Sequence, residues 1–371
     1  MIEALTQGFA GLTVGRMAMF AIGLSLIYLA IRYKYEPMIL LPLGFGAILA
    51  NIPLSAAVGE GGVLTLLYRT GIVTELFPVL IFIAVGAMID FTPLLSNPVM
   101  FFYGAAAQFG IFATVLVALA LGFDLKEAAS IGIIGAADGP TSIYVASRFA
   151  PRLLGPISVA AYSYMALVPL IQPPVIRLLT TPAERRIRAD YQQVKVSRTA
   201  KIAFPIAVTL LAGLLVPMGV SLIGLLMFGN LIRESGVLER LSGAAQNELA
   251  NLVTLLLGIT VGGTMTAESF LNLRTLMILG MGLVAFVFDT AGGVLFAKFL
   301  NLFLRHKINP MVGAAGISAF PMAARVVHRM ALQEDPTNFL ITHSISANVA
   351  GQIGSVMAGG AVLALVPALL R

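Results

Sequence analysis

Runs of 15 to 25 apolar residues recur along nearly the whole chain and are separated by short polar stretches. An α-helix of about 20 apolar residues is long enough to cross the hydrocarbon core of a bilayer. Inside that core only helices and closed barrels satisfy their own backbone hydrogen bonds. The pattern therefore predicts an all-α, polytopic membrane protein.

The apolar segments form two sets of six, one on each side of the polar stretch 181–201. The first set lies at about 17–31, 39–52, 76–90, 99–122, 125–148 and 153–178, and the second at about 202–217, 219–232, 249–271, 274–304, 308–331 and 338–370. Two halves of opposite orientation each need an odd number of crossings. At least one segment in each half is therefore expected to be re-entrant or not to span the membrane.

The polar stretch 181–201 carries six Lys or Arg residues, opposed only by Glu184 and Asp190. Basic loops remain on the cytoplasmic side of membranes. This stretch is expected to be a cytoplasmic linker between an N-terminal membrane repeat, 1–180, and a C-terminal one, 202–371. An ordinary loop and a docking surface for a soluble partner both fit its composition.

The two halves share short sequence patterns in the same order. Val85–Met88 resembles Val261–Thr264, and Ile134–Ala137 matches Val312–Ala315. Phe45-Gly46 likewise matches Phe228-Gly229. The offset is nearly constant at about 180 residues, as expected of the internal repeats of secondary transporters. The sequence thus predicts two inverted repeats.

A matching apolar segment in each half is interrupted by glycine and proline. In the first, Asp138-Gly139-Pro140 breaks the run, and in the second the break falls between Asn309 and Arg325. Proline removes a backbone donor and glycine permits unusual backbone angles, so a discontinuous helix is expected in each half. In transporters of this kind, the substrate or ion site forms where two such breaks meet.

Composition narrows the class of function. The chain is 58% hydrophobic and only 11% charged, with a mean hydropathy of +0.95. It has no cysteine, which excludes disulfides and thiolate metal sites. The net charge of +6 lies in loops and segment ends, so it indicates membrane topology rather than nucleic-acid binding. No nucleotide-binding or zinc motif is present.

Asp138 is the first candidate for chemistry, because a carboxylate at membrane depth is costly unless it binds a cation or is neutralised. With freed backbone carbonyls it could bind Na⁺, or it could simply cap the helix that follows. In the second half the neutral oxygen donors are Asn309, Ser318 and Asn348. Arg325 could hold a carboxylate ligand or extend towards the membrane interface.

Two further residues could have either a functional or a structural role. Asp289 could be a second ion or proton ligand, or a structural partner of a neighbouring helix. Tyr164 could be an interface aromatic or a proton donor.

Several motifs together resemble the β subunit of the sodium-pumping, biotin-dependent decarboxylases. They cover most of the chain: Gly135–Tyr144, Ala161–Pro174, Phe288–Phe296, Asn309–Ser318 and His343–Gln352. Members of that family serve the decarboxylation of oxaloacetate, methylmalonyl-CoA, glutaconyl-CoA or malonate. Another subunit selects the acid, so the resemblance does not name the substrate.

The resemblance implies that the chain decarboxylates carboxybiotin and exports Na⁺, consuming a proton. The biotin would be carried on a partner subunit. The family's essential carboxylate falls on Asp138 and its tyrosine on Tyr164. The family's other site residues fall on Asn309, Gly313, Ser318, Arg325 and Asn348. Asp138, Tyr164 and Arg325 would then be catalytic, with Arg325 on the carboxybiotin; Asp138, Asn309, Gly313, Ser318 and Asn348 would bind sodium.

The implied partners are a carboxyltransferase, a biotin carrier and a small membrane-anchoring subunit, with the complex in a bacterial or archaeal inner membrane as a multi-pass protein. The sequence leaves a homo-oligomer open. A stand-alone ion-coupled carboxylate transporter or antiporter with inverted repeats is the alternative. A scaffold for soluble subunits, resting only on 181–201, is a third interpretation.

Overall fold

The computed structural model describes residues 7–188, 195–305 and 307–370. Throughout these ranges the regular elements are helices, and no strand occurs in them. The predicted all-α class is confirmed. Of the predicted linker 181–201, residues 189–194 lie outside the described ranges, as do residues 1–6 of the first repeat.

The first half contains α1 (Val14–Tyr33), α2 (Pro37–Asn51), α3 (Val63–Leu67), α4 (Leu76–Met88), α5 (Thr92–Ser96), α6 (Met100–Ala107), α7 (Phe109–Ala120), α8 (Leu125–Gly132), α9 (Gly139–Phe149), α10 (Leu154–Leu179) and α11 (Pro182–Arg185). The second contains α12 (Arg198–Leu215), α13 (Val220–Ser235), α14 (Glu239–Ala244), α15 (Ala250–Gly262), α16 (Ala267–Phe270), α17 (Leu273–Leu300), α18 (Met311–Ala314), α19 (Met322–Glu334) and α20 (Ile341–Leu369).

Six helical stretches in the described part of the chain are long and apolar enough to cross a membrane. They are α1, α6 with α7, α10 with the turn before it, α12, α17 and α20. A bent pair, Val63–Val73 and Leu76–Met88, makes a seventh if it counts as one span. The chain is therefore a multi-pass membrane protein.

Glycines allow helices of the two halves to cross each other closely, and two of these crossings involve matched positions. A Cβ on Gly46 of α2 would lie 2.3 Å from the Ile259 carbonyl oxygen of α15. A Cβ on Gly229 of α13 would lie 2.0 Å from the Ile83 carbonyl oxygen of α4. Small residues at such crossings let membrane helices pack backbone to backbone. Because Gly46 and Gly229 are matched positions in the two halves, the crossings are reciprocal.

Replacing Gly229 with alanine is expected to destabilise the protein by about 1–3 kcal/mol, since the new methyl group overpacks the crossing with α4. The measurement is the midpoint of thermal unfolding in detergent. Gly224→Ala is the matched control on the same helix, because its nearest neighbour is a side-chain atom of Thr209 at 3.5 Å. Equal midpoints for the two variants would contradict this account of the crossing.

Helix α17 connects two opposite ends of the molecule, which we call the linker end and the far end. Its 28 residues span about 42 Å. At the linker end, Lys298 donates to the Leu179 carbonyl oxygen at 3.1 Å, next to the linker. At the far end, Arg274 pairs with Glu127 at 2.8 Å, in the first turns of α17 and α8.

The interrupted segment 125–149, here hairpin A, has both of its ends at the far end. It starts beside the Glu127–Arg274 pair, and it ends just before α10, whose Gly155 packs against Met265 close to the start of α17. Its helices contain 8 and 11 residues, so each is at most about 17 Å long. Neither could cross a hydrocarbon core of about 30 Å.

The second interrupted segment, 309–334, here hairpin B, has both of its ends at the linker end. The Asn309 amide donates to the Arg185 carbonyl oxygen at 2.8 Å. The Arg185 guanidinium in turn pairs with Glu334 at 2.6 Å. The start of the linker therefore holds both limbs of hairpin B, which approaches the middle of the bundle from the side opposite to hairpin A.

Candidate functional site

The turn of hairpin A is formed by a sharp change in backbone direction. After α8 come a 3₁₀ turn, Ile133–Ala136, and Ala137 with a left-handed φ of 52°. Asp138 is extended, and α9 then begins with Pro140 in its first turn. Proline is tolerated there because first-turn amides have no partner within the helix. The turn leaves the carboxylate of Asp138 at the tip.

Asp138 is only 4% exposed, and its two oxygens have different partners. Oδ1 accepts from the Thr141 amide at 3.2 Å, so Asp138 caps α9. Oδ2 accepts from Gln352 Nε2 at 3.0 Å and from Ser355 Oγ at 2.6 Å. These donors are neutral, and no ion pair to Asp138 occurs within the described ranges. Capping thus uses one oxygen, and the other faces α20.

The tip of hairpin B meets the tip of hairpin A directly. The Ser318 amide donates to the Ala136 carbonyl oxygen at 2.9 Å. The Ser318 hydroxyl donates to the Gly351 carbonyl oxygen of α20, also at 2.9 Å. The two breaks are therefore joined by a backbone hydrogen bond and share α20 as a support.

One face of α20 supplies three amide or hydroxyl groups to this junction: Asn348, Gln352 and Ser355. The Asn348 amide donates to the Ile317 carbonyl oxygen at 2.5 Å, while its Oδ1 is buried and has no partner among the described residues. Spacings of four and three residues put the three side chains on one side of the helix. Gln352 and Ser355 were not predicted as site residues. The polar stripe to which they belong is the feature of the sequence that indicates them.

A cavity of about 230 Å³ adjoins Asp138. Ser318, Phe320 and Gln352 line it, as does Tyr162, which sequence reasoning also missed. The Tyr162 ring lies against Gly139, where a Cβ would be 2.2 Å from Cζ. Asp138 and Ser318, from the two halves, therefore face a common space.

The other predicted sodium ligands of hairpin B lie away from this cavity lining. The side chain of Asn309 holds the linker through Arg185 and Ile187, both at 2.8 Å. Gly313 packs against α17, where a Cβ would be 2.0 Å from the Gly293 carbonyl oxygen. Their contacts are those of residues that anchor hairpin B.

The two remaining predicted catalytic residues have different surroundings. The Tyr164 hydroxyl donates to the Leu279 carbonyl oxygen of α17. Arg325 is exposed on the first turn of α19, and no partner of its guanidinium is found in the described ranges. Neither residue lines the cavity beside Asp138.

Asp289 is fully buried in α17, and it contacts the start of α7 rather than the tips of the two hairpins. Its Oδ1 accepts from the Ile111 amide at 3.1 Å, in the first turn of α7. Gly135 of hairpin A lies against its Oδ2, where a Cβ would be 2.6 Å away. These contacts favour the structural reading, in which Asp289 caps α7.

The junction carries the oxygen donors that a hard monovalent cation prefers: a carboxylate, hydroxyls, amides and turn carbonyls. No cluster of three or more His, Cys, Asp or Glu side chains is found among the described residues. One carboxylate with neutral oxygens suits a singly charged ion better than a multivalent one. Such a site can also exchange the ion for a proton.

Comparison with known proteins decides the family. Residues 15–366 match the family model described as "Na+-transporting oxaloacetate decarboxylase beta subunit". The chain belongs to this family. It is accordingly the membrane subunit of a sodium-pumping decarboxylase, as the motifs implied.

Individual relatives agree with the assignment. The glutaconyl-CoA decarboxylase subunit beta of Acidaminococcus fermentans is 53% identical, over 97% of this chain and 96% of that protein. The methylmalonyl-CoA decarboxylase subunit beta of Veillonella parvula is 52% identical, over 97% and 95%. The oxaloacetate decarboxylase beta chain of Klebsiella pneumoniae is 46% identical, over 99% of each. These relatives favour the decarboxylase β subunit over a stand-alone transporter.

Proposed function

We propose that this β subunit couples the decarboxylation of carboxybiotin, carried by a partner subunit, to the export of Na⁺ bound at Asp138. The observation that carries the proposal is the position of this carboxylate, buried at the contact between two opposed hairpin tips without a cationic partner. A buried carboxylate is stabilised by binding a cation or a proton. Ser318 and Asn348 complete the sodium site from hairpin B and α20.

Exchange of Na⁺ for a proton at Asp138 would couple decarboxylation to Na⁺ export. Na⁺ and a proton compete for the same carboxylate, so binding one releases the other. Decarboxylation leaves negative charge on the ureido group of biotin, and a nearby cation or proton donor lowers that barrier. Arg325, exposed and unpaired in the described structure, would hold the carboxylate through paired hydrogen bonds. Asp138, with Tyr164 as the second candidate, would supply the proton.

The two halves would act as inverted repeats, 1–180 and 202–371. The reciprocal glycine crossings and the opposed hairpins support this arrangement. Of the six helical stretches in the described residues that are long and apolar enough to cross a membrane, three lie in each half, an odd number, as opposite orientations require. Since the hairpins approach Asp138 from opposite ends, movement of either one would expose the site to one side of the membrane.

Membership of the family supports a multi-subunit setting in a membrane. The β subunit would work with a carboxyltransferase, a biotin carrier and a small membrane-anchoring subunit in a bacterial or archaeal cell membrane. The basic residues of the linker support a cytoplasmic position for the linker end. The relatives differ in the acid that their names carry, so this chain would serve one such acid chosen by its carboxyltransferase.

Reconstitution of the whole complex in vesicles tests the proposal. Decarboxylation should require Na⁺ and should drive ²²Na⁺ across the membrane in the same preparation. A rate indifferent to Na⁺ would contradict it. Carboxylate uptake by vesicles that contain this chain alone, without biotin, would favour the stand-alone transporter instead.

Ser355→Ala is expected to weaken Na⁺ binding, raising the half-saturating concentration by about tenfold to a hundredfold. It removes the 2.6 Å hydrogen bond that positions Asp138 Oδ2, and a bond to a charged group is worth about 1.5–3 kcal/mol. The measurement is the decarboxylation rate against Na⁺ concentration. Ser346→Ala on the same helix, which loses only a bond to the Pro93 carbonyl oxygen, should leave that concentration unchanged.

A further inference from the structure

The cavity beside Asp138 extends to a second carboxylate, Glu36. Glu36 lies between α1 and α2, and Met38 and Ile39 line the cavity next to it. The opposite end of α2 is at the far end, where Asn51 donates to the Met265 carbonyl oxygen at 2.7 Å. Glu36 therefore lies on the linker-end side, and the cavity leads from there to Asp138.

The cavity has a one-sided charge. Its lining contains two carboxylates, those of Glu36 and Asp138, and no Lys, Arg or His. Further oxygen-bearing side chains come from the first turn of α15 (Asn251 and Thr254), from α10 (Tyr162) and from hairpin B (Ser318). A cleft that carries one sign of charge between low-dielectric walls concentrates ions of the opposite sign. The lining is thus selective for cations.

Tyr162 adds a polar group to the lining of the same cavity. Its hydroxyl is buried and has no partner among the described residues. A buried hydroxyl without a partner is unusual, because such groups are normally hydrogen-bonded. A cation or its water in the cavity would satisfy it.

Glu36 itself has no ion-pair partner in the described structure. Burial raises the pKa of its carboxyl, as expected for a partly buried acid without a neighbouring cation. A cation in the cavity mouth would offset that effect of burial.

We propose that this cavity is the path by which Na⁺ reaches Asp138 from the linker end, and that Glu36 is the carboxylate that attracts the ion at its mouth. The inference rests on the proposed function. The same charge opposes an anion, so carboxybiotin approaches by a different surface, that of Arg325, which does not line the cavity.

Glu36→Gln in the reconstituted complex tests the path. Removing one charge at the mouth should raise the half-saturating Na⁺ concentration by about threefold to tenfold. The rate at saturating Na⁺ should stay within about twofold of wild type, because the carboxylate at the reacting site is unchanged. Two readouts are compared at constant ionic strength with choline chloride: the decarboxylation rate and the Na⁺-dependent rise in unfolding temperature.

Three further variants show whether the effect depends on the charge at position 36. Glu36→Asp should restore most of the affinity, and Glu36→Lys should weaken it more than glutamine does. Glu239→Gln makes the same charge change at an exposed position outside the cavity and should have no effect. The inference is overturned if Glu36→Gln leaves the Na⁺ dependence of the wild type unchanged, or if Glu239→Gln shifts it equally. A wild-type complex without Na⁺ dependence would overturn the proposed function itself.

Discussion

Replacing Asp138 with asparagine is expected to lower Na⁺-dependent decarboxylation by at least about a hundredfold and to abolish ²²Na⁺ transport. Asparagine has nearly the same shape and can still accept from the Thr141 amide, so hairpin A should keep its turn. The variant loses the negative charge that binds Na⁺ and the group that titrates. An intramembrane carboxylate with a transport role depends on both properties. The measurement is the initial rate against Na⁺ concentration in the complex.

Asp289→Asn is the matched control, because it neutralises the other fully buried carboxylate of the described structure. Asparagine can still accept from the Ile111 amide, so the cap on α7 should persist and the unfolding temperature should stay close to that of the wild type. Its half-saturating Na⁺ concentration should remain that of the wild type. If Asp138→Asn kept Na⁺-dependent activity, or if only Asp289→Asn lost it, the assignment of the ion site to Asp138 would be wrong.

The sequence was sufficient to locate the break in hairpin A. Asp138, Gly139 and Pro140 are adjacent, so local backbone chemistry alone predicts an interruption with a carboxylate in it. The contact with hairpin B depends instead on a hydrogen bond between Ser318 and Ala136, which are far apart in the chain. Repeat matching placed the two breaks at corresponding positions, but no sequence pattern states which atoms meet.

The predicted ligand residues of hairpin B lie in different surroundings. Asn309 and Ser318 are both polar residues in one Gly/Pro-rich segment, and the sequence treats them alike. The fold separates them, because hairpin B turns back and leaves Asn309 at its base, bound to the linker, and Ser318 at its tip. Whether Asn309 and Gly313 touch Na⁺ in another conformation stays a prediction.

Gln352 and Ser355 contact Asp138 but were not among the predicted site residues. Both are on a helix whose polar stripe is visible in the sequence: Gln352 is the last residue of the motif His343–Gln352, and Ser355 lies three residues beyond it. A helix that is buried on most sides and still carries amides and a hydroxyl on one face needs partners for them. Asp138 is that partner for Gln352 and Ser355, at 3.0 and 2.6 Å.

Arg325→Gln is expected to separate catalysis from ion binding. Glutamine cannot form the paired, charge-assisted hydrogen bonds with which a guanidinium holds a carboxylate. Arg325 would orient the carboxybiotin by its carboxylate, and misplacing a bound substrate costs on the order of a hundredfold in rate. Because Arg325 does not line the cavity beside Asp138, Na⁺ should still raise the unfolding temperature of the variant as it does for the wild type.

Arg329→Gln, one helical turn further along α19 and also exposed, is the matched control and should keep nearly full activity. Arg325→Lys should recover only a small part of the rate, because lysine keeps the charge but lacks the planar fork. Loss of Na⁺ stabilisation in Arg325→Gln would mean that the guanidinium supports the ion site. Equal losses in both glutamine variants would assign the effect to the basic surface of α19 rather than to a carboxybiotin site at Arg325.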